Sequence, residues 1–291
     1  MTVQGFWRSS LDPERVMKVY VTHWKEYVQQ QREDHVTVEE PFEVRINNRS
    51  LAVIMRTPGH DRELAMGFLL TERVIHQADD VHTIEDAMDG DGLPLANVIN
   101  VILSPREQQD SLTHRDNYEQ HSVFERHFAV SASCGLCGKN SIDDLMFTVP
   151  PIKVDDQRFF ASCIYELTRQ LRTGQDVFTH TGGLHAAGLF TSTGELCLLR
   201  EDVGRHNAVD KIIGHGLLHN TLPYSRHILM VSGRTSYEII QKALLARIPC
   251  IAAISAPSSL AVELAHQSGI TLIGFLRDSS MNVYTHPERI V

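Results

Sequence analysis

Long apolar runs are scarce in this 291-residue chain. The most apolar stretch, Ala243 to Val262, is broken by Arg247, Pro249 and Pro257, which excludes a membrane-spanning helix. Met1 to Trp24 lacks a basic start followed by a continuous apolar segment, so no secretory signal is expected. Cysteine is sparse and odd in number, five residues spread along the chain, which argues against a closed disulfide framework. That usage suits a reducing compartment, and a cytoplasmic protein is the expectation. Positive charge is also short. With 27 lysines and arginines against 36 acids, the formal charge is −9, sixteen histidines being counted neutral. A net-acidic chain is poorly suited to coating nucleic acid, which needs clustered cations against phosphate.

What is present is an ordinary globular balance, 42% hydrophobic and 22% charged, which rules out a disordered tail or a fibrous repeat. The length is about twice a common domain, so one large or two medium domains are expected. Residues 1–35 read as an N-terminal extension that ends in the polar run Gln29–Asp34. Met17, Tyr20, Trp24 and Tyr27 fall at helical spacing and suggest a docking helix. Residues 36–150 read as a β-rich domain. Phe42, Val44 and Ile46, then Leu51, Val53 and Met55, alternate with other residues around Asn47-Asn48, the pattern of a β-hairpin. Asp61 to Ile75 has the spacing of a helix, and strands are expected near 81–84 and 98–103. The aspartate-rich stretch Asp86 to Gly92 fails the EF-hand pattern and reads as a solvated loop. Ser104 to His127 is polar without periodicity, and Pro150-Pro151 punctuates the chain.

Residues 151–291 show short apolar runs alternating with helices. A helix near 156–171 precedes strands at 184–190 and 196–200, joined by Thr191–Gly194. Then follow a helix near 207–217, strand 227–231, helix 236–246, strand 250–254, helix 258–266 and strand 270–275. This rhythm makes βαβ units of a parallel sheet, with an antiparallel hairpin on its edge. The expected class is α/β (α+β), a mixed-sheet C-terminal domain with a smaller β-rich N-terminal domain.

Ligands of open α/β sheets bind beyond the carboxyl ends of the strands. Three such ends are legible: Ser232-Gly233-Arg234-Thr235-Ser236, Ser255 to Ser259, and Phe275-Leu276-Arg277-Asp278-Ser279-Ser280. Small residues, helix N-termini and arginine forks suit phosphate oxygens, so a nucleotide or diphosphate site is one reading. Ordinary helix capping by serine and threonine is the other. The run Arg200 to Asn207 is dense in functional groups, and the readings divide evenly between function and a bland role, helix capping for Asp202 or Asn207 and a satisfied surface histidine for His206. The layout of helix, antiparallel strand pair and three further strands is that of the zinc cytidine deaminases. Their P-C-x-x-C signature is missing, because Pro249-Cys250 is followed by alanine at position 253, and the helix start after strand 227–231 reads Ser-Gly-Arg-Thr-Ser, with no cysteine. That chemistry is excluded.

Cys134 and Cys137 form the one C-x-x-C pair, in a serine- and glycine-rich segment beside Lys139, with a helix expected from about Ser141. A cationic neighbour and a helix N-terminus lower a thiol pKa, so a reactive thiol is preferred to structural zinc, which usually recruits a second pair. Cys163, Cys197 and Cys250 read as small buried apolar residues. No resident metal is expected.

These segments together resemble the formate dehydrogenase accessory sulfurtransferase family (FdhD), also described as sulfur carrier proteins. The resemblance runs from about Val36 to the C-terminus. It is carried by Glu39–Val44, Met55–Gly59, Ser133–Lys139, Thr181–Ala187, Glu201–Lys211, Val231–Ser236 and Asn282–Pro287. The long string Glu201–Lys211 is the most specific. The resemblance implies a relay in which a cysteine desulfurase loads a persulfide onto the chain. The sulfur then passes to the molybdenum or tungsten of a bis-molybdopterin guanine dinucleotide cofactor (Mo-bisMGD), needed by formate dehydrogenase. It implies Cys134 as persulfide carrier, Cys137 as second acceptor or resolving thiol, and Phe275–Ser280 as the cofactor segment, with GDP as a mimic. It also implies a cytidine-deaminase-like C-terminal domain and a homodimer. The alternative is a cofactor-binding chaperone whose C-x-x-C holds zinc or is redox-active.

Overall fold

The computed structural model describes residues 12–105, 128–130, 149–153 and 157–291. Cys134, Cys137, Lys139, the helix expected from Ser141 and most of the polar stretch 104–127 lie outside the described residues.

The chain opens with a two-stranded antiparallel ribbon, β1 (Val16–Lys25) and β2 (Val28–Thr37), paired from Val16↔Thr37 to Lys25↔Val28. This replaces the expected docking helix. Val16, Val19, Val21 and Thr22 are β-branched and favour extended backbone, and a complementary strand follows directly after a turn at Glu26 (φ 54°). The expected boundary at residue 35 therefore falls inside β2.

A five-stranded sheet follows. β3 (Glu40–Ile46) and β4 (Arg49–Arg56) form the expected hairpin, with Asn47 and Asn48 both at positive φ, as a two-residue primed turn requires. After α1 (Asp61–Thr71), β5 (Val81–Met88) and β6 (Pro94–Leu103) complete one side. β5 already contains Asp86, and the remaining acidic turn is closed by Asp89 Oδ1, which accepts from the backbone N–H of Asp91 and Leu93. β7 (Phe128–Val130) pairs in parallel with β4, giving the order β5-β6-β3-β4-β7.

The second sheet has six strands. α2 (Ala161–Thr173) and a short α3 (Asp176–Thr181) precede the antiparallel pair β8 (His185–Thr191) and β9 (Leu196–Asp202). Then come α4 (Arg205–Leu218), β10 (His227–Val231), α5 (Tyr237–Leu245), β11 (Cys250–Ala253), α6 (Ser259–Gln267), β12 (Thr271–Arg277) and β13 (Ser280–Thr285). The order is β13-β12-β11-β10-β8-β9, with β10, β11 and β12 mutually parallel. The class is mixed α/β, as expected.

Period-two alternation assigns the strand residues to two layers. Ala187, Leu189, Leu229, Val231, Ile251 and Leu272 join the core under α4, α5 and α6. Phe190, Ile228, Met230, Cys250 and Ile273 face the other way, against Ile164, Leu167 and Leu171 of α2. The first core also holds Phe42, Ile54, Leu64 and Phe68, so it is continuous from the five-stranded sheet to the six-stranded one. The join is the crossing of α1 and α4. A Cβ on Gly67 would stand 1.9 Å from the Asp210 carbonyl oxygen, and one on Gly214 1.8 Å from that of Glu63. Only glycine allows the two backbones to meet there. Among the described residues no helix is long and apolar enough to cross a membrane.

Candidate functional site

Because β10, β11 and β12 are parallel neighbours, their carboxyl ends share one edge. β10 turns through Ser232–Ser236 into α5. β11 turns through Ile254–Ser258 into α6, where Ser258 Oγ accepts from the Ala261 N–H at 3.3 Å as an N-cap. The third expected end differs. β12 continues to Arg277, turns at Asp278 and Ser279, and Ser280 opens β13 instead of a helix. Met281 and Val283 alternate with exposed Asn282 and Tyr284, a strand period that fits the antiparallel ladder. No helix N-terminus therefore contributes to an anion site there.

Hydrogen bonds hold the three ends together. Thr235 N–H donates to the Ala256 carbonyl and Ser258 N–H to the Thr235 carbonyl, at 3.2 and 3.0 Å. Phe275 N–H donates to the Ser255 carbonyl at 3.2 Å, and Arg277 Nη1 to the Ile254 carbonyl at 2.7 Å. Phe275 has φ 50°, at an irregularity of the β12–β13 ladder, and its ring is 42% exposed. That left-handed conformation is unfavourable for a bulky residue. Arg234, Arg277, Asp278, Ser279 and Ser280 are exposed, whereas Leu276 is fully buried in the core beside α2 and offers only its backbone. Ser232 Oγ is already engaged, accepting from the Ala186 N–H at 2.9 Å. Gly233 packs so closely on His185 that a Cβ would stand 3.1 Å from His185 Nδ1.

The Glu201–Lys211 string resolves into a buried latch and a polar face. Asp202 Oδ1 accepts from Gly204 N–H and Asn207 Nδ2, both at 2.8 Å, while Oδ2 pairs with Lys211 Nζ at 2.7 Å. Lys211 Nζ also donates to the Thr57 carbonyl at 3.0 Å, and Asn207 Nδ2 to the Met55 carbonyl at 2.9 Å. The Glu201 carboxylate accepts the Val177 and Phe178 N–H groups, and burial raises its pKa. Four of the string's polar residues thus tie the start of α4 to Met55–Thr57 and to α3.

The other face looks onto the strand ends. His206 Nε2 lies 3.2 Å from Ser236 Oγ and 3.9 Å from Glu238 Oε2. Burial, then the charges of Lys242 and Arg205, push the His206 pKa down to about 3, so the ring is neutral at pH 7. Burial and the charges of Arg205 and Arg234 also depress His185. His185, Arg205 and Glu238 belong to this group, yet sequence reasoning singled out neither His185 nor Glu238. The signal was present in the topology: β8 runs antiparallel to β10, so its first residue lies where β10 ends. Exposed guanidinium groups, a serine-rich turn and the N-terminus of α5 form a surface suited to phosphate oxygens.

The cysteines divide differently from expectation. Cys250 is fully buried, which pushes its thiol pKa up to about 12, and Cys163 is half-buried. Cys197 is exposed, near the start of β9, the edge strand of its sheet. Among the described residues no cluster of His, Cys, Asp and Glu is arranged to hold a metal.

Comparison with known proteins agrees with this organisation. A "Sulfur carrier protein FdhD" of Streptomyces avermitilis is 46% identical over 268 residues, covering 89% of this chain and 90% of its own. A protein of the same name from Sulfolobus acidocaldarius is 43% identical over 276 residues, covering 95% and 99%. A crystal structure from Desulfotalea psychrophila, provisionally described as a formate dehydrogenase accessory protein, superposes with a TM-score of 0.70. It is 23% identical, covers 95% of this chain and 100% of its own, and supports the fold. The FdhD/NarQ family model matches residues 37–291, so the chain belongs to the FdhD/NarQ family.

Proposed function

We propose that the chain is a sulfur carrier in the maturation of formate dehydrogenase, acting in the cytoplasm as a homodimer. In this reading the Cys134 thiolate attacks the terminal sulfur of a cysteine desulfurase persulfide. The desulfurase leaves as a thiolate and Cys134 holds the new persulfide, with Cys137 as second acceptor or resolving thiol. The terminal sulfane sulfur then passes to a reduced molybdenum or tungsten of a bound bis-molybdopterin guanine dinucleotide, the metal giving up the two electrons that make the sulfur a sulfido ligand, and Cys134 leaves as the thiolate. The metal cofactor is cargo, and the chain acts as a sulfurtransferase.

The sulfur half of this reading is supported by relatives named sulfur carriers over nine-tenths of their length. The nucleotide half is carried by one observation: the joined strand ends present Arg234 and Arg277 to solvent on a common edge. Guanidinium forks match phosphate oxygens, which is what a diphosphate would offer at this edge.

Mass spectrometry after incubation with a cysteine desulfurase and cysteine tests the proposal. A sulfur adduct is expected on the peptide containing Cys134, and none in Cys134→Ala. An adduct confined to other cysteines overturns the assignment. Stoichiometric zinc that is lost on substituting Cys134 or Cys137 overturns the carrier reading in favour of a structural pair.

A further inference from the structure

His206, Ser236 and Glu238 stand between the starts of two helices and take no part in the sulfur steps above. His206 is the second residue of α4, Ser236 is the N-cap of α5, and Glu238 is the second residue of α5. One assignment of protons satisfies their contacts. The neutral His206 ring donates from Nε2 to Ser236 Oγ at 3.2 Å, and the Ser236 hydroxyl donates to the Glu238 carboxylate. Burial acts to raise the Glu238 pKa, but Ser236, the residue's own backbone N–H and the Arg205 charge outweigh it and hold the group below the ordinary carboxylate range. The carboxylate is therefore ionised at pH 7.

Its surroundings leave acceptor capacity open. An ionised carboxylate has about four lone-pair positions, and Ser236 and the residue's own N–H fill only part of them. The Glu238 side chain is 13% exposed. Among the described residues its only ion-pair contact is His206 Nε2 at 3.9 Å, on a ring that carries no charge. Thr235, in the same turn, is 1% exposed, and its Oγ1 has no hydrogen-bond partner among the described residues. Buried polar groups are nearly always paired, so this open capacity points to a ligand. An ionised acceptor repels phosphate and selects N–H donors. The diphosphate is thus left to Arg234 and Arg277. The end of β12 lies two strands from that of β10, about 10 Å at ordinary strand spacing and within the span of a nucleoside diphosphate.

We propose that Glu238, aligned by Ser236 and His206, recognises the adjacent ring N–H and exocyclic amine of a 2-amino-4-oxo heterocycle, the edge that guanine and pterin share. This inference rests on the guanine-dinucleotide reading above and names the group that reads the base. Both donors of that edge can be accepted by one carboxylate. Adenine turns an acceptor nitrogen toward the same position and is rejected. Hypoxanthine keeps the ring N–H but lacks the amine, so it forfeits one charge-assisted hydrogen bond.

Calorimetric titration of the full chain with GDP and with IDP, its hypoxanthine counterpart, tests the assignment. The unaltered protein is expected to bind GDP about ten- to hundredfold tighter than IDP. Glu238→Gln removes the charge and should bring that ratio close to one. Glu238→Asp keeps an acidic first turn on α5 but draws the carboxylate back by one methylene, and should lose the preference with an unchanged melting temperature. Titration with 6-hydroxymethylpterin separates the two rings. Pterin binding that is lost in Glu238→Gln, with no preference for GDP over IDP, assigns the acceptor to the pterin, and the converse assigns it to guanine. A ratio near one without pterin binding, or preferences that persist in both variants, overturns the assignment while GDP still binds at the arginines. Failure of GDP to bind the unaltered chain overturns the nucleotide reading itself.

Discussion

Lys211 and Asp202 form an ion pair in which both side chains are completely buried, Nζ to Oδ2 at 2.7 Å, at the start of α4. Burial lowers the Lys211 pKa and the Asp202 charge opposes that shift. Each partner is satisfied further by backbone, Lys211 by the Thr57 carbonyl and Asp202 by the Thr57 and Gly204 N–H groups. Removing one partner leaves an uncompensated buried charge, which typically costs about 3–5 kcal/mol. Lys211→Met is therefore expected to lower the urea midpoint sharply, and Lys211→Met/Asp202→Asn to recover part of the loss. Equal loss in the single and double variants would mean that the latch is not electrostatic.

The contact of α1 with α4 makes a second prediction. At Gly67 and Gly214 an added methyl meets backbone atoms below 2 Å, so neither helix can relieve it by a side-chain rotation. Overpacking of this kind costs about 1–3 kcal/mol, or more where backbone must move. Gly67→Ala and Gly214→Ala should each depress the melting temperature, whereas alanine at Gly90, which has open space around it, should not. Calorimetry of the three variants separates crossing from loop.

Most of the six-stranded sheet was legible because its strands are short apolar runs separated by helical periods, such as Ile228–Val231 before Tyr237–Leu245. Misreadings arose where two periods coexist. Met17, Tyr20, Trp24 and Tyr27 sit three and four apart, yet β-branched neighbours and a complementary strand decide for the ribbon. β13 was unread because only Met281 and Val283 mark it, and both are half-buried. In the candidate site, Arg234 and Arg277 were legible as polar residues after apolar runs. His185 and Glu238 were not, because they join the group only through the antiparallel placement of β8 and the first turn of α5.

His206 predicts a specific pH dependence. Its folded pKa of about 3 lies below the ordinary histidine value, so between about 6.5 and 3 the unfolded chain binds a proton that the native chain does not. The stability due to the neutral buried ring is complete above pH 6.5 and is lost as pH falls through that window. The slope approaches on the order of 1 kcal/mol per pH unit well below 6.5. Burial depresses His60, His185 and His227 in the same direction, so the whole protein should weaken by more than one histidine accounts for. His206→Gln keeps a hydrogen-bonding group toward Ser236 and cannot titrate. Melting temperatures at pH 7 and pH 5 should therefore differ less in the variant than in the unaltered protein, and an equal difference excludes His206 as a contributor.

The arginines at the strand ends can be tested without sulfur chemistry. Arg277 spends Nη1 on the Ile254 and Leu276 carbonyls, which aligns the guanidinium beside the β11 end, and Arg234 is exposed on the β10 turn. If a guanine nucleotide diphosphate binds this edge, each arginine contributes a charge-assisted hydrogen bond, about 1.5–3 kcal/mol. Calorimetric titration with GDP should then show roughly ten- to hundredfold weaker binding for Arg234→Ala and for Arg277→Ala. Arg226 is also exposed but precedes β10, at the opposite end of that strand, so Arg226→Ala should bind GDP as the unaltered chain does. Arg277→Lys distinguishes alignment from charge, because lysine keeps the cation and loses the planar fork. An intermediate affinity for Arg277→Lys is expected. GDP affinity that is unchanged in Arg234→Ala and Arg277→Ala removes the strand-end edge from the nucleotide site.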